Sequence, residues 1–249
     1  MGDVSDRIDV IFEDEHLIGL SKPAGLPTAN APRGAKSVYT WLQDRLGPAA
    51  FVGIVSRLDA PVSGALVVAK SAAAAADLAR QFRERSVAKE YAAVVEARFP
   101  APLGQWVDWH DAVSRRPDEP RSFLQRDIPA TEAAAEDDED EAGAAAVPAR
   151  PAHVRARVVR RAGEVSIVEL EPTTGRRPQL RVQLAGRGCP IVGDRLYGAR
   201  LPFPAGIALH ARRLRVEHPG SGAPVVLEAG WPPAWEARFP ALLRGGAGR

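Results

Sequence analysis

The chain has 249 residues, 45% of them hydrophobic, and a formal net charge of +2, enough material for one large domain or two small ones with a proper core. Its single cysteine, Cys189, excludes an intrachain disulfide, and no cluster of cysteine and histidine has the spacing of a structural zinc site. The N-terminal Met-Gly-Asp-Val-Ser-Asp-Arg carries acids and no apolar run of the length a signal peptide or membrane helix requires, so a soluble, cytoplasmic protein without membrane contact is expected.

Ile8 to Phe12 and Leu17 to Leu20 read as short strands around the acidic turn Glu13-Asp14-Glu15. Lys22-Pro23-Ala24-Gly25 breaks regular structure, because proline removes a donor and glycine permits a tight turn. Val38 to Leu46 is predicted as a helix, and Phe51 to Val55 and Ala65 to Ala69 as buried strands that hold the polar Ser56-Arg57-Leu58-Asp59 between them. Ser71 is an N-cap for the alanine-rich helix that follows, with Leu78 and Phe82 on one face and Arg83 and Arg85 toward its end.

Tyr91 to Glu96 is the next predicted strand. Pro117 to Pro151 shows charge, alanine and proline without sustained periodicity, and its acidic core at 131–147 is expected to be a disordered insertion. Further strands are predicted at His153 to Val159, Val165 to Leu170, Leu209 to Val216 and Val225 to Leu227, with a turn at Thr173-Thr174-Gly175 and a short helix at Gln179 to Ala185 that ends near Gly186 or Gly188. The elements interleave without the period of a parallel barrel and without repeats, so the expected class is α+β with a mixed, mainly antiparallel sheet.

The small net charge hides an uneven distribution. Seven of the 31 acids (Glu132, Glu136, Asp137, Asp138, Glu139, Asp140 and Glu141) sit in one short stretch, and without them the balance is +9. Only four basic residues are lysines, and arginines thicken toward the C-terminal half, at Arg155, Arg157, Arg160, Arg161, Arg176, Arg177, Arg181, Arg212, Arg213 and Arg215. A face of this kind suits phosphate, although an alanine- and arginine-rich composition also follows from genomic base composition alone.

Ser56 to Lys70, Ser-Arg-Leu-Asp-Ala-Pro-Val-Ser-Gly-Ala-Leu-Val-Val-Ala-Lys, puts a carboxylate on a loop that an apolar framework could fix in place. By itself it reads more readily as a surface aspartate that starts a turn. Two further segments accompany it: Lys89-Glu90-Tyr91 on a strand, and Thr174-Gly175-Arg176-Arg177-Pro178-Gln179-Leu180-Arg181 at the start of a helix. Taken singly, Tyr91 could be a core aromatic and Arg181 a solvated helix arginine.

In chain order these segments, with Lys-Pro-x-Gly at Lys22 to Gly25, Pro-Ile-x-Gly-Asp-x-x-Tyr-Gly at Pro190 to Gly198, Leu209-His210-Ala211 and His218-Pro219, resemble the RluA-type pseudouridine synthases over nearly the whole chain. The resemblance implies a single catalytic domain at 1–249 with helices flanking the sheet and a central cleft. It implies isomerisation of uridine to pseudouridine in ribosomal or transfer RNA by a monomer that needs no cofactor and no metal. By position it makes Asp59 the essential carboxylate, Tyr91 the residue that packs on the target base and Arg181 the partner of the aspartate, with Arg57, Arg176 and Leu180 as substrate contacts. These roles make chemical sense. A nearby arginine keeps a carboxylate ionised and aimed, tyrosine offers a flat face and a hydroxyl, and Arg57 can fill the space that a flipped nucleotide leaves.

Two positions depart from the family pattern, in which histidine precedes Arg-Leu-Asp and Thr-His-Gln follows Thr-Gly-Arg; here they are Ser56 and Arg177-Pro178-Gln179. The proposed catalytic set is kept, which implies a divergent but active branch. The alternative is a catalytically lapsed RNA-binding or RNA-folding protein on the same scaffold, and a third reading is a basic interaction protein whose acidic stretch recruits a partner. His210, His218 and Cys189 are expected to be structural.

Overall fold

The computed structural model describes residues 8–32, 34–115, 121–126, 147–204 and 206–243. The chain forms two compact units, Met1–Tyr91 with Pro204–Phe239, and Ala92–Phe203 with Pro240–Arg249. Of the stretch expected to be a disordered insertion, 131–146 lie outside the described residues, while Val147 is already in a strand.

In the first unit, β1 (Asp9–Glu13) turns back into β2 (Leu17–Lys22) because the Asp14 carboxylate accepts from the backbone of His16 and Leu17 at 2.8 and 2.9 Å. β2 runs antiparallel to β3 (Ser63–Ala69), whose seven residues are all buried. At its start β3 touches β9 (Leu209–Glu217) in parallel, pairing Ser63 with His210 and Gly64 with Ala211, and β10 (Pro224–Glu228) returns antiparallel along β9.

Helix α1 (Val38–Leu46) begins at a reciprocal capping box between Ser37 and Thr40. Helix α2 (Ala72–Arg83) begins where Ser71 accepts from the Ala74 backbone, as its sequence predicts. α2 lays Ala74 and Leu78 on a core of Leu17, Ala65, Val67, Ala69, Leu214, Val216 and Leu227, an area whose burial drives this unit together. α4 (Pro233–Arg238) puts Trp235 into the same unit, 6.0 Å from His210.

β4 (Ala88–Glu96) carries the chain into the second unit, where Val95 bridges Ile191. There β5 (Trp106–Arg115) lies between β6 (Ser122–Arg126) and β7 (Val147–Ala162), and β8 (Val165–Pro172) pairs with β7, all antiparallel. Helix α3 (Gln179–Gly186) packs Val182 and Ala185 against Val113, Ala152, Leu124 and Tyr197. α5 (Pro240–Leu243) closes the described chain. The class is α+β, with a mainly antiparallel mixed arrangement, as expected. Among the described residues no helix is long and apolar enough to cross a membrane.

Several local readings change. Phe51 to Val55 is not a strand: only Gly53 bridges Ala69, and Phe51 is 44% exposed. The approach is close: a Cβ on Gly53 would lie 3.0 Å from the side chains of both Ala69 and Ala75. β5 was absent from the predicted elements because its buried row, Trp109, Asp111 and Val113, contains a charge that hides the alternation. β7 starts at Val147 rather than His153, through Pro148 and Pro151. β8 pairs with it only from Val154, so both prolines sit where β7 has one neighbour and a missing donor is tolerated.

The junction of β3 with β9 permits no side chain at Gly64. Its φ is +126°, and a Cβ there would stand 2.2 Å from the Ala211 carbonyl oxygen. Gly64→Ala should therefore destabilise the protein by about 3 kcal/mol or more, read as a fall in the urea midpoint without a change in slope.

Candidate active site

The loop that carries Asp59 is held by backbone contacts on every side. Leu58 and Thr28 exchange two hydrogen bonds, the Thr28 hydroxyl donating to the Leu58 carbonyl at 2.8 Å and accepting from its N–H at 3.1 Å. The Asp59 carbonyl accepts from Val62, and the Pro61 carbonyl from Ile207. Gly206, at φ +72°, lets this approach happen, since a Cβ there would lie 2.3 Å from the Pro61 oxygen.

The strongest anchor is Lys22, the last residue of β2 and fully buried. Its ammonium donates to the carbonyls of Pro23, Leu26 and Ala60 at 2.9, 2.7 and 3.3 Å, which uses all three of its donors. Ala60 also accepts from the N–H of Gly25, at 2.7 Å. The Lys-Pro-x-Gly and Arg-Leu-Asp segments are thus one piece of structure. Burial pushes Lys22 down to about 7, against which the negative charge of Asp59 works.

Behind the loop, the buried Ser63 hydroxyl meets His210 Nδ1 at 2.9 Å, and His210 Nε2 faces the Ala229 carbonyl at 3.4 Å. A carbonyl can only accept, so Nε2 carries the proton and Nδ1 accepts from Ser63. Burial pushes His210 down to about 4 and keeps this tautomer neutral. His218 lies against the Asp14 carboxylate at 2.6 Å, and Cys189 is a buried free thiol whose ionisation burial disfavours. Cys189 is thus buried, as its sequence context predicts.

Asp59 is partly buried and Arg57 is exposed on the same loop. Tyr91, on β4, is partly buried and close enough to feel Asp59: burial first, and then the carboxylate's charge, push its phenol up to about 12. Two residues before it, burial and the neighbouring Arg85 push Lys89 down to about 8.

Arg176, Leu180 and Arg181 lie together in the second unit. Gln179 caps the start of α3 from within: its side-chain oxygen accepts from the Thr174 hydroxyl at 2.7 Å and the Arg176 N–H at 3.2 Å, while its amide donates to the His153 carbonyl at 2.9 Å. The Arg177–Pro178 peptide is cis. Arg176 reaches the Pro151 carbonyl, and Leu180 is buried. Arg181 clasps Asp194 with both oxygens engaged, Nε to Oδ2 at 2.7 Å and Nη2 to Oδ1 at 2.8 Å, and its guanidinium lies 5.1 Å from the Tyr197 ring.

Reading the residues one by one therefore misses Lys22, Thr28, Asp194 and Tyr197 as supporting groups. Lys22 had a usable signal, a lysine directly after an apolar strand. Asp194 and Tyr197 stood within Gly-Asp-x-x-Tyr-Gly without an assigned task. No group of three or more potential metal ligands occurs among the described residues.

A model of the RNA pseudouridylate synthase family matches residues 16–186. The dual-specificity RNA pseudouridine synthase RluA of Haemophilus influenzae is 31% identical over 233 residues, covering 89% of this chain and 92% of that protein. The ribosomal large subunit pseudouridine synthase D of Xanthomonas campestris is 34% identical over 236 residues, which cover 88% of this chain but only 64% of that longer protein. The solved structure of human RNA pseudouridylate synthase domain containing 1 superposes with a TM-score of 0.71 at 26% identity, over 97% of this chain and 89% of that one. The chain belongs to the RNA pseudouridylate synthase family of isomerases, in its RluA-type branch.

The depressed Lys22 has a measurable consequence. Its folded value, about 7, lies below the ordinary lysine value of 10.5, so between these the unfolded chain holds more protons and stability rises with pH, by at most about 1.4 kcal/mol per unit. Urea unfolding from pH 6.5 to 9.5 should show this rise, and the difference curve against Lys22→Met should isolate it from other groups that titrate in the window. A flat difference curve would mean that Lys22 keeps its proton throughout.

Proposed function

We propose that this chain isomerises uridine to pseudouridine in ribosomal or transfer RNA, with Asp59 as the reacting carboxylate and Tyr91 and Arg181 as further members of the reacting set. The observation that carries the reading is the anchoring of the Asp59 loop. Leu58, Ala60 and Pro61 are each fixed by partners from β2, from the segment after it and from the approach to β9. A carboxylate is a competent nucleophile or base only when its backbone cannot drift, and preorganisation of this kind is what catalysis at a fixed carbon needs.

The reaction breaks the bond from the sugar to nitrogen 1 of uracil, turns the base and joins the same sugar carbon to carbon 5, which gives up its proton while nitrogen 1 takes one up. No atom is gained or lost overall. Asp59 serves either as the nucleophile that holds the sugar or as the base that starts its elimination. With its phenol near 12, Tyr91 is protonated at neutral pH, so it offers the base a flat face and a hydroxyl that can donate. The target must first leave its stack. Arg57, exposed at the lip of the loop, is suited to occupy the space left behind, and Arg176 and Leu180 are assigned to hold the substrate. The RNA classes follow the names of the relatives, one acting on the large ribosomal subunit and others on transfer RNA or with dual specificity.

Asp59→Asn removes the charge with little change in shape. On RNA labelled with tritium at uracil carbon 5, its rate of tritium release should fall by at least about 10³-fold, while RNA affinity stays within about threefold and weakens steeply with salt, as phosphate contacts require. Mapping of pseudouridine in total RNA with and without the gene should show one or a few lost sites. Unaltered turnover in Asp59→Asn would remove the aspartate from the reaction, and RNA binding with no lost site would favour the catalytically lapsed scaffold.

A further inference from the structure

α3 and its surroundings contain two buried pairs of arginine and aspartate that are built differently. In one, the buried Asp111 takes Arg187 Nη1 on Oδ2 at 2.9 Å and Nη2 on Oδ1 at 3.0 Å, and Gln183 Nε2 on Oδ2 at 2.7 Å. Arg187 Nη1 also donates to the Gln183 carbonyl at 3.2 Å, and its guanidinium stacks 3.9 Å from the centre of Trp109. Both ends of that fork are spent on β5 and α3, so the pair serves the packing of the unit.

The other pair is Arg181 with Asp194. Asp194 engages the edge of the guanidinium formed by Nε and Nη2. The carboxylate is itself immobile: its side chain is 1% exposed, its N–H donates to Ile191, and its carbonyl accepts from Tyr197 and Ala199 in a tight turn completed by Gly198 at φ +90°. One face of the guanidinium is set by the Tyr197 ring, which is fixed in turn because its hydroxyl accepts from the Ser122 N–H at 2.9 Å. A planar group held along one edge and over one face has a single orientation, and its Nη1 edge is thereby aimed.

We infer that Asp194 is a positioning residue for the isomerisation, acting through Arg181: it directs the Nη1 edge of the guanidinium, and Tyr197 supports it from the side. The inference rests on the reading of Arg181 as part of the reacting set. The spacing from Asp194 to Tyr197 within Gly-Asp-x-x-Tyr-Gly follows from it, because one short turn must deliver both the carboxylate and the ring.

The test compares Asp194→Asn with Asp111→Asn in the full chain, using tritium release from uracil-labelled RNA and urea unfolding. Asn offers one acceptor and an amide that opposes the second donor. Asp194→Asn should lower kcat by about 30-fold or more with KM within about threefold, the signature of an interaction made in the transition state. Asp111→Asn should lower stability while the folded protein keeps kcat within about threefold. In the background of Arg181→Met, Asp194→Asn should cost nothing further, since its effect passes through the arginine.

Nitrogen-15 spectra of Arg181 supply a readout apart from turnover. Its Nε–H should be protected and resolved in the wild type and in Asp111→Asn, and lost in Asp194→Asn. Should Asp194→Asn fail to fold, Asp194→Glu decides, because it keeps the charge and displaces the carboxylate by one methylene: a drop in kcat of about tenfold or more with a shifted Nε–H supports the inference. Wild-type kcat in either Asp194 variant overturns it, as does a loss that multiplies with that of Arg181→Met. A wild-type protein that releases no tritium from any RNA fails at the prior step, the function itself, while a wild type that turns over beside an unimpaired Asp194→Asn fails only here.

Discussion

The candidate carboxylate depends on one buried ammonium. Placing a charge where water cannot reach costs several kcal/mol unless its donors are all met, and Lys22 meets them with three backbone carbonyls, two close in sequence and one 38 residues away. A tripod of donors fits three oxygens arranged around a point, which a planar guanidinium would not. The distant oxygen belongs to Ala60, next to Asp59, so the end of β2 and the Asp59 loop are tied to each other. Gly25 adds a second donor to the same carbonyl, and proline at 23 stiffens the short path between them. The unusual feature is economy of means: a single side chain closes the turn after β2, fixes the loop and supplies positive potential near a negative group.

The sequence made much of this legible, for physical reasons that can be named. The caps at Ser37 and Ser71 act within four residues of chain, so their signals survive intact in the structure. The strands β2, β3, β8 and β9 keep their apolar rows, and the ordered motifs carry the family and the fold. What stayed hidden was tertiary. Asp111 in a buried row makes β5 look polar until Arg187 and Gln183 are seen to satisfy it. Prolines 148 and 151 speak against a strand until β7 is seen to have only one neighbour there. Lys22 reads as a loop residue because its farthest partner is a main-chain oxygen, which leaves no mark in the side-chain sequence. Asp59, Tyr91, Arg57, Arg176, Leu180 and Arg181 follow from motif order, whereas the groups that hold the Asp59 loop and Arg181 in place appear only in three dimensions.

The chemistry of the region explains how the two positions that carry histidine in the family pattern can hold other residues. At the start of α3 the carbonyl of His153, the hydroxyl of Thr174 and the amide of Gln179 form a closed set of hydrogen bonds, so the residue at 178 is not required to complete the turn. His210, by contrast, is caught between Ser63 and Ala229 in a single neutral tautomer. An aromatic of similar shape would leave the buried Ser63 hydroxyl without its acceptor, a loss of about 1–3 kcal/mol.

The two strands that flank residues 127–146 have a geometry of their own. β5 lies between them, pairing Asp111 with Arg126 on one side and Arg115 with Val147 on the other. Four residues along a strand and two strand spacings across put the ends of that stretch roughly 17 Å apart, a gap that about six extended residues can bridge. Twenty residues close it in this chain. Most of that length is therefore surplus to the register of the sheet, so this is the position at which the protein can gain, lose or exchange sequence, a tag or a whole added module included, without asking β5, β7 or the helix beneath them to change.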